Sequence, residues 1–271
     1  MKKNKLALFS APYVLWMAVF VVIPILMIVV YAFSSSGGGF TLENFARIGD
    51  YMVVFTRSFK LAFIATAICL LLGYPVSCFL AREGPRFQRV AMMLIMLPMW
   101  MNFLLRTYSW MFLLEKRGLI NSFLGLFGIG PFQMINTQGA IVLGMVYNFL
   151  PFMILPIYNV LAKIDDNTIN AAKDLGANNF QTLIHIWIPL SIPGIISGIT
   201  MVFVPALTTF VISSLLGGSK ILLIGNVIEQ EFTKGSNWHL GSGLSLVLMI
   251  FILLSMALIA KYDKEGEGNA F

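Results

Sequence analysis

"NAAKDLGANNFQTLIHIWIPLSIPGI" runs from Asn170 to Ile195 and interrupts a chain that is 58% hydrophobic and only 11% charged. It is polar and helix-prone, and it closes on Pro189 and Pro193. Apolar residues recur in it with helical spacing. Ile169, Ala172 and Leu175 form one stripe, and Phe180, Leu183, Ile184 and Trp187 form another. Thr168 or Asn167 is placed to cap a first short helix, Gly176 to end it, and Asn178 or Asn179 to cap a second. Helices this short are marginal alone in water, so the stripes need a surface to lie on. The membrane face is one option, but interfacial helices carry a cationic polar face, and here Lys173 is offset by Asp165, Asp166 and Asp174. Docking into another protein suits these charges better.

The rest of the 271 residues belongs to a bilayer. A spanning helix needs about 20 largely apolar residues, and six segments qualify: residues 11–33, 61–81, 90–114, 139–162, 188–214 and 240–260. The expected fold is all-α, a polytopic membrane protein of six transmembrane helices read as a single transmembrane domain over 1–271. The apolar run behind Lys2, Lys3 and Lys5 is far longer than a cleavable signal allows, so it is expected to stay as the first span. Six spans put both termini on one side. That side, with Arg82, Arg86, Arg89, Lys163, Lys173, Lys261 and Lys264, carries just over half of the 18 Lys and Arg residues. The positive-inside bias therefore favours cytoplasmic termini. The net charge of +6 comes from these loops and not from a nucleic-acid patch. Cys69 and Cys78 both fall in the second span and read as small buried apolar residues.

The two inner connections differ in size. The first, "AREGPRFQRV", is a tight basic turn broken by Pro85. The second, residues 163–189, is far longer than a helical hairpin needs, and loops of that length are functional or disordered. Its periodicity argues against disorder.

This loop resembles the E-A-A-x(3)-G-x(9)-I-x-L-P signature of ABC importer permeases. Ala171, Ala172, Gly176, Ile186 and Pro189 match at full spacing, Asn170 stands where the family has Glu, and Ile188 replaces Leu. Across the chain, "LGYPVSCFLA", "LPMWMNFLLRTYSW", "NFLPFMILPIYN" and "SLLGGSKILLIGNVIEQEF" look like the spermidine/putrescine permease subunits of that family. The resemblance implies a type I (MetI-like) permease fold in a bacterial inner (plasma) membrane. It also implies a second, similar permease, a homodimeric cytoplasmic ATPase carrying ATP and Mg, and an extracytoplasmic polyamine-binding protein. Asn170, Ala171, Ala172, Leu175, Gly176, Ala177, Phe180, Ile186 and Pro189 would then couple to the ATPase. This chain has no G-x-x-x-x-G-K-[ST] loop of its own, so it is not read as an enzyme, and the energy source is expected on another chain.

A pathway for a polycation calls for carboxylates or aromatic faces, yet no Asp or Glu falls in the apolar centre of a span. The candidates are Trp100, Asn102, Tyr108 and Trp110 in the third span, and Tyr147 with Asn148 in the fourth. Aromatic faces hold ammonium groups at about 0.5–2 kcal/mol each. Arg106, the one deeply placed charge, is expected about 25 Å along the third helix from Arg89. There it would snorkel as an interfacial anchor, or serve as a gate or contact to the second permease. Glu115, Glu229 and Glu231 could form an acidic mouth, though Lys116, Arg117, Lys220 and Lys234 lie among them. Pro75, Pro98, Pro151, Pro156 and Pro205 interrupt spans as packing kinks or as broken helices beside a pathway.

Other classes fit less well. A membrane enzyme needs a nucleophile with its base, or a metal cluster, and the chain has only His185 and His239. A channel would show a voltage-sensor arginine series or a filter motif. Within the importers, thiamine, an anion or an iron chelate are the alternative solutes.

Overall fold

The computed structural model describes residues 12–268 except Ser36, Ser219 and Ser236, with backbone alone over 258–268. Lys2, Lys3 and Lys5, and the side chains of Lys261 and Lys264, therefore lie outside the described residues. We label the helices α1 (Pro12–Ala32), α2 (Met52–Arg82), α3 (Pro85–Trp100), α4 (Phe103–Leu114), α5 (Leu119–Gly125) and α6 (Gln138–Leu161). After these come α7 (Asp166–Asp174), α8 (Asn179–Thr208), α9 (Val211–Leu216), α10 (Ile224–Thr233) and α11 (Trp238–Gly268). Among the described residues, five helices are long and apolar enough to cross a membrane, or six if one bent pair counts as a single span.

That bent pair corrects the expected third span. Residues 90–114 do not form one helix: α3 stops at Trp100, and the chain resumes as α4 and α5 at an angle of 89°. Met101 is extended (φ −74°, ψ 148°). Asn102 then starts the new helix, its Oδ1 accepting from Leu104 N at 2.9 Å and Leu105 N at 3.4 Å. Pro98 removes a donor just before the break, and Asn102 supplies the cap that makes a restart favourable. The fifth span is corrected in the same sense. α8 ends at Thr208, Thr209 is extended (φ −64°, ψ 136°), and residues 211–216 form the separate helix α9.

The chain divides into two compact units, one holding the chain up to Val53 with Val227–Leu253, the other Val54–Asn226 with the chain from Leu254. In the first, the end of α1 is tied to the following loop by Asn44, whose Nδ2 donates to Ala32 O at 2.9 Å and Ser34 O at 3.1 Å. Gly243 of α11 lies against Asn44.

The second unit is built around α6. α8 packs along it at backbone distance. A Cβ on Gly194 would lie 2.9 Å from Pro156 O and 3.0 Å from Ile157 Cα, and one on Gly198 would lie 2.7 Å from Met153 Sδ. These glycines form a G-x-x-x-G pair, the spacing that lets membrane helices approach closely. α2 meets α6 through Ser77, which donates from Oγ to Ile154 O at 3.1 Å, and meets α8 through Tyr74 Oη and Ser191 Oγ, 3.0 Å apart. Past α9 the loop closes on Asn226, which is 1% exposed. Its Nδ2 donates to Phe210 O at 2.9 Å and Ser214 Oγ at 2.7 Å. Its Oδ1 accepts from Leu223 N at 3.1 Å and from the Ser213 hydroxyl.

Candidate functional site

The loop between α6 and α8 forms the short helix α7 bounded by turns, and its capping and burial differ from expectation. Asp165, not Thr168 or Asn167, caps α7: its Oδ1 accepts from Asn167 N at 3.0 Å. Aspartate at this position also complements the helix dipole. α7 ends in a Schellman turn, with Gly176 N donating to Lys173 O at 2.9 Å and Ala177 N to Ala172 O at 3.0 Å. Gly176 has φ +87° and open space where a Cβ would go, so backbone conformation alone demands glycine here. Asn178 opens the next helix with a capping box, accepting from Gln181 N at 2.8 Å while its own N–H donates to Gln181 Oε1 at 2.9 Å.

The second loop helix does not stop before the fifth span. α8 runs unbroken from Asn179 to Thr208 for 30 residues. It passes Pro189 by widening to a π turn at Leu183–Trp187, where Ile188 N donates to Leu183 O. Pro189 has no N–H, and its ring would crowd the carbonyl of His185 four residues earlier; the wider turn relieves that conflict. Trp187 is buried, and the Arg82 guanidinium at the end of α2 sits 4.3 Å from its ring centroid. This cation-π contact fixes the loop to the base of α2.

Each predicted stripe is split between inside and outside. Ile169 and Trp187 turn inward, whereas Leu175 is 90% exposed and Phe180 and Ile184 are exposed as well. Ala172, Leu175, Gly176, Ala177, Gln181, Thr182, His185 and Ile186 line a groove of about 330 Å³ between α7 and α8. Asn170, Ala171 and Pro189 are exposed beside it. The loop thus offers a firm shape with projecting apolar side chains and no chemistry of its own. Among the described residues, no group of three or more His, Cys, Asp and Glu is placed to hold a metal ion.

The candidate pathway residues do not form one site. Arg106, Tyr147 and Trp110 come together: the Arg106 guanidinium carbon is 5.8 Å from the Tyr147 ring centroid, and Trp110 meets Tyr147 edge to face at 5.3 Å. Arg106 does not snorkel. It is 8% exposed and bends back to the helix break, where Nη1 donates to Pro98 O at 2.6 Å. The distance count along a straight third helix fails because the helix turns at Met101. Asn102 is occupied as a cap. Asn148 is buried, its Nδ2 donating to Gly144 O at 2.8 Å and its Oδ1 unpartnered. Tyr108 is partly exposed. Trp100 is 78% exposed and ends an open groove of about 510 Å³ along α3, lined also by Gln88, Arg89, Met92, Met93, Met96 and Tyr158. Glu229 belongs to the other unit, where its Oε1 accepts from Thr233 Oγ1 at 3.2 Å.

Sequence reasoning missed Asp165 as the cap of α7, Trp187 as the seat of the Arg82 guanidinium, Asn226, and the Gly194/Gly198 pair. The glycine spacing was a readable signal. The roles of Trp187 and Asn226 depend on contacts with Arg82, Phe210 and Ser213 that no local pattern announces.

A polytopic helical chain whose rigid helical loop continues into a span has the build of a permease subunit of an ABC importer, and the comparisons with known proteins place it there. The chain belongs to the family described as binding-protein-dependent transport system inner membrane component, whose model matches residues 73–263. It is therefore a multi-pass inner-membrane protein of a non-catalytic family whose members work with ATPase and binding-protein subunits. It is 38% identical over 259 residues to the spermidine/putrescine transport system permease protein PotB of Haemophilus influenzae, covering 92% of this chain and 91% of that one. It is 39% identical over 251 residues to PotB of Escherichia coli K12, covering 89% and 91%. The inner membrane ABC transporter permease protein YdcU of the same organism is 29% identical over 238 residues, covering 82% of this chain and 75% of that one. In fold, the chain matches a bacterial ABC transporter that imports the acidic polysaccharide alginate, with a TM-score of 0.78 at 15% identity over 97% of this chain and 96% of that one. It also matches the MetNI methionine ABC transporter, with a TM-score of 0.60 at 17% identity over 79% and 95%.

Proposed function

We propose that this chain forms half of the translocation pathway of a polyamine importer, paired with a second permease and served by a polyamine-binding protein. A homodimeric ATPase carrying ATP and Mg grips the loop between α6 and α8. The loop and both termini face the cytoplasm. The substrate reading rests on likeness to spermidine/putrescine permeases along nearly the whole chain. The coupling reading rests on one geometric observation: exposed Leu175 and Phe180 flank a Schellman turn on a loop that leads without a break into α8.

Within this reading, Trp100 is the aromatic face open to an ammonium group. Tyr147 already has the Arg106 guanidinium beside its ring and offers less to a second cation. That buried cation, with no carboxylate in the apolar span centres, favours an anionic solute as the second reading. Uptake of labelled spermidine, a labelled inorganic anion and an iron chelate in cells lacking and regaining this chain separates the two. Loss of spermidine uptake alone supports the first; unchanged spermidine uptake with loss of another solute overturns it.

Coupling has its own test. Gly176→Val forces a β-branched residue to φ +87°, at about 1–2 kcal/mol or more for the left-handed conformation. The expected outcome is a stable permease that no longer co-purifies its ATPase, whereas Gly176→Asn, which tolerates that conformation, retains most binding. Equal retention by both variants would remove the turn from the docking surface.

A further inference from the structure

Between α4 and α6 the chain is turned inside out. Leu119, Phe123, Leu126 and Phe127 are exposed, Leu126 to 80%, while Asn121 is buried among them at 4%. Asn121 locks this arrangement: its Nδ2 donates to Glu115 O at 3.1 Å and Phe132 O at 2.9 Å, and its Oδ1 accepts from Phe132 N at 2.9 Å. A loop made to face water keeps its amide outside and its leucines within. Here the clamp holds the apolar side chains outward, where Phe123 and Phe127 meet edge to face at 5.4 Å and still stay exposed.

Two further observations say what covers them. α4 and α5 leave α3 at 89°, so if α3 crosses the bilayer, the segment after it runs along the membrane plane. Lys116 and Arg117 are both exposed where α4 gives way to α5. A cation pair on the rim of an apolar face complements lipid phosphates, with the long side chains reaching headgroups while their stems stay in apolar surroundings.

The geometry points to an in-plane membrane anchor: residues 119–127 lie in the headgroup region of the leaflet opposite the coupling loop, with Lys116 and Arg117 on lipid phosphates. This goes beyond the solute reading and holds whichever solute is carried. It predicts a fixed depth for the bend of the third span, because the anchor follows α4 directly.

The test places a nitroxide at Leu126→Cys or Leu119→Cys of the assembled importer, in nanodiscs of phosphatidylethanolamine and phosphatidylglycerol. Cys69 is buried and Cys78 partly so, and the unsubstituted chain serves as the labelling blank. The expected result is that collisions with oxygen exceed those with a water-soluble nickel chelate, at a depth of about 5–10 Å. Lys116→Gln combined with Arg117→Gln shifts the label toward water. Dominant nickel access that disappears only when the binding protein is added overturns the proposal in favour of a protein-docking face. Low access to both reagents without the binding protein means the second permease covers the segment, and overturns it too. An unchanged depth in the double variant removes the phosphate contacts.

Discussion

Gly194→Leu leaves no folded subunit in the membrane. At this position α8 touches the backbone of α6, with Pro156 O 2.9 Å and Ile157 Cα 3.0 Å from where a Cβ would sit. Main-chain atoms of a packed helix cannot rotate away, so the helices must separate. Separation also loosens the Gly198 contact one turn further along, and with it the seam on which the second unit is built. Membrane helices associate through close packing and not through water exclusion, so nothing compensates. Gly194→Ala costs about 1–3 kcal/mol, the usual range for overpacking. Gly198→Ala costs less, because its nearest contact, Met153 Sδ at 2.7 Å, lies in a flexible side chain and its backbone contacts are longer, Met153 O at 3.2 Å and Cα at 3.4 Å. Membrane yield and the monodisperse fraction of a fluorescent fusion give the order: wild type, Gly198→Ala, Gly194→Ala, then Gly194→Leu with none. If Gly194→Leu accumulates normally, the seam is not where the fold is held.

The second large effect is at Asn226. All of its hydrogen-bonding capacity is engaged, and two of the groups it satisfies, Phe210 O and Leu223 N, belong to the main chain where α8 has already ended. Asn226→Leu leaves the buried Leu223 N without its acceptor, at about 1–3 kcal/mol, while Phe210 O loses one of its donors and keeps Ser214 N at 2.9 Å and Ser213 Oγ at 3.0 Å. Asn226→Asp is no remedy: it keeps the acceptor but loses both donors, and it places a charge at a site that is 1% exposed. Both variants are expected to lower the melting temperature of the detergent-solubilised subunit and to open residues 209–223 to protease, with α6 and α8 still protected. Melting unchanged from wild type would mean the loop is held elsewhere.

The sequence revealed the helical character of the loop and the end of its first helix at Gly176, because each depends on residues adjacent in the chain. It misled where a distant partner decides. Arg106 was placed by counting along a straight helix, yet Pro98 and Asn102, both visible, end that helix and start another. Leu175 and Ile169 share a stripe by periodicity and still part company, since Ile169 is buried and Leu175 is left 90% exposed. The candidate pathway was legible as residue types and not as a site: Asn102 is used up as a cap, Tyr147 has a guanidinium on its ring, and Trp100 keeps the most open face, with Tyr108 less exposed.

The unbroken course of α8 has a mechanical consequence. Gly194, pressed against the α6 backbone, stands near the middle of the helix, with arms of about 23 Å back to Asn179 and about 21 Å onward to Thr208 at 1.5 Å per residue. A rod pivoting there behaves as a seesaw with nearly equal arms. Under the coupling proposed above, whatever distance the ATPase draws the Asn179 end, the Thr208 end swings by about the same amount in the opposite sense, so the stroke is transmitted without gain.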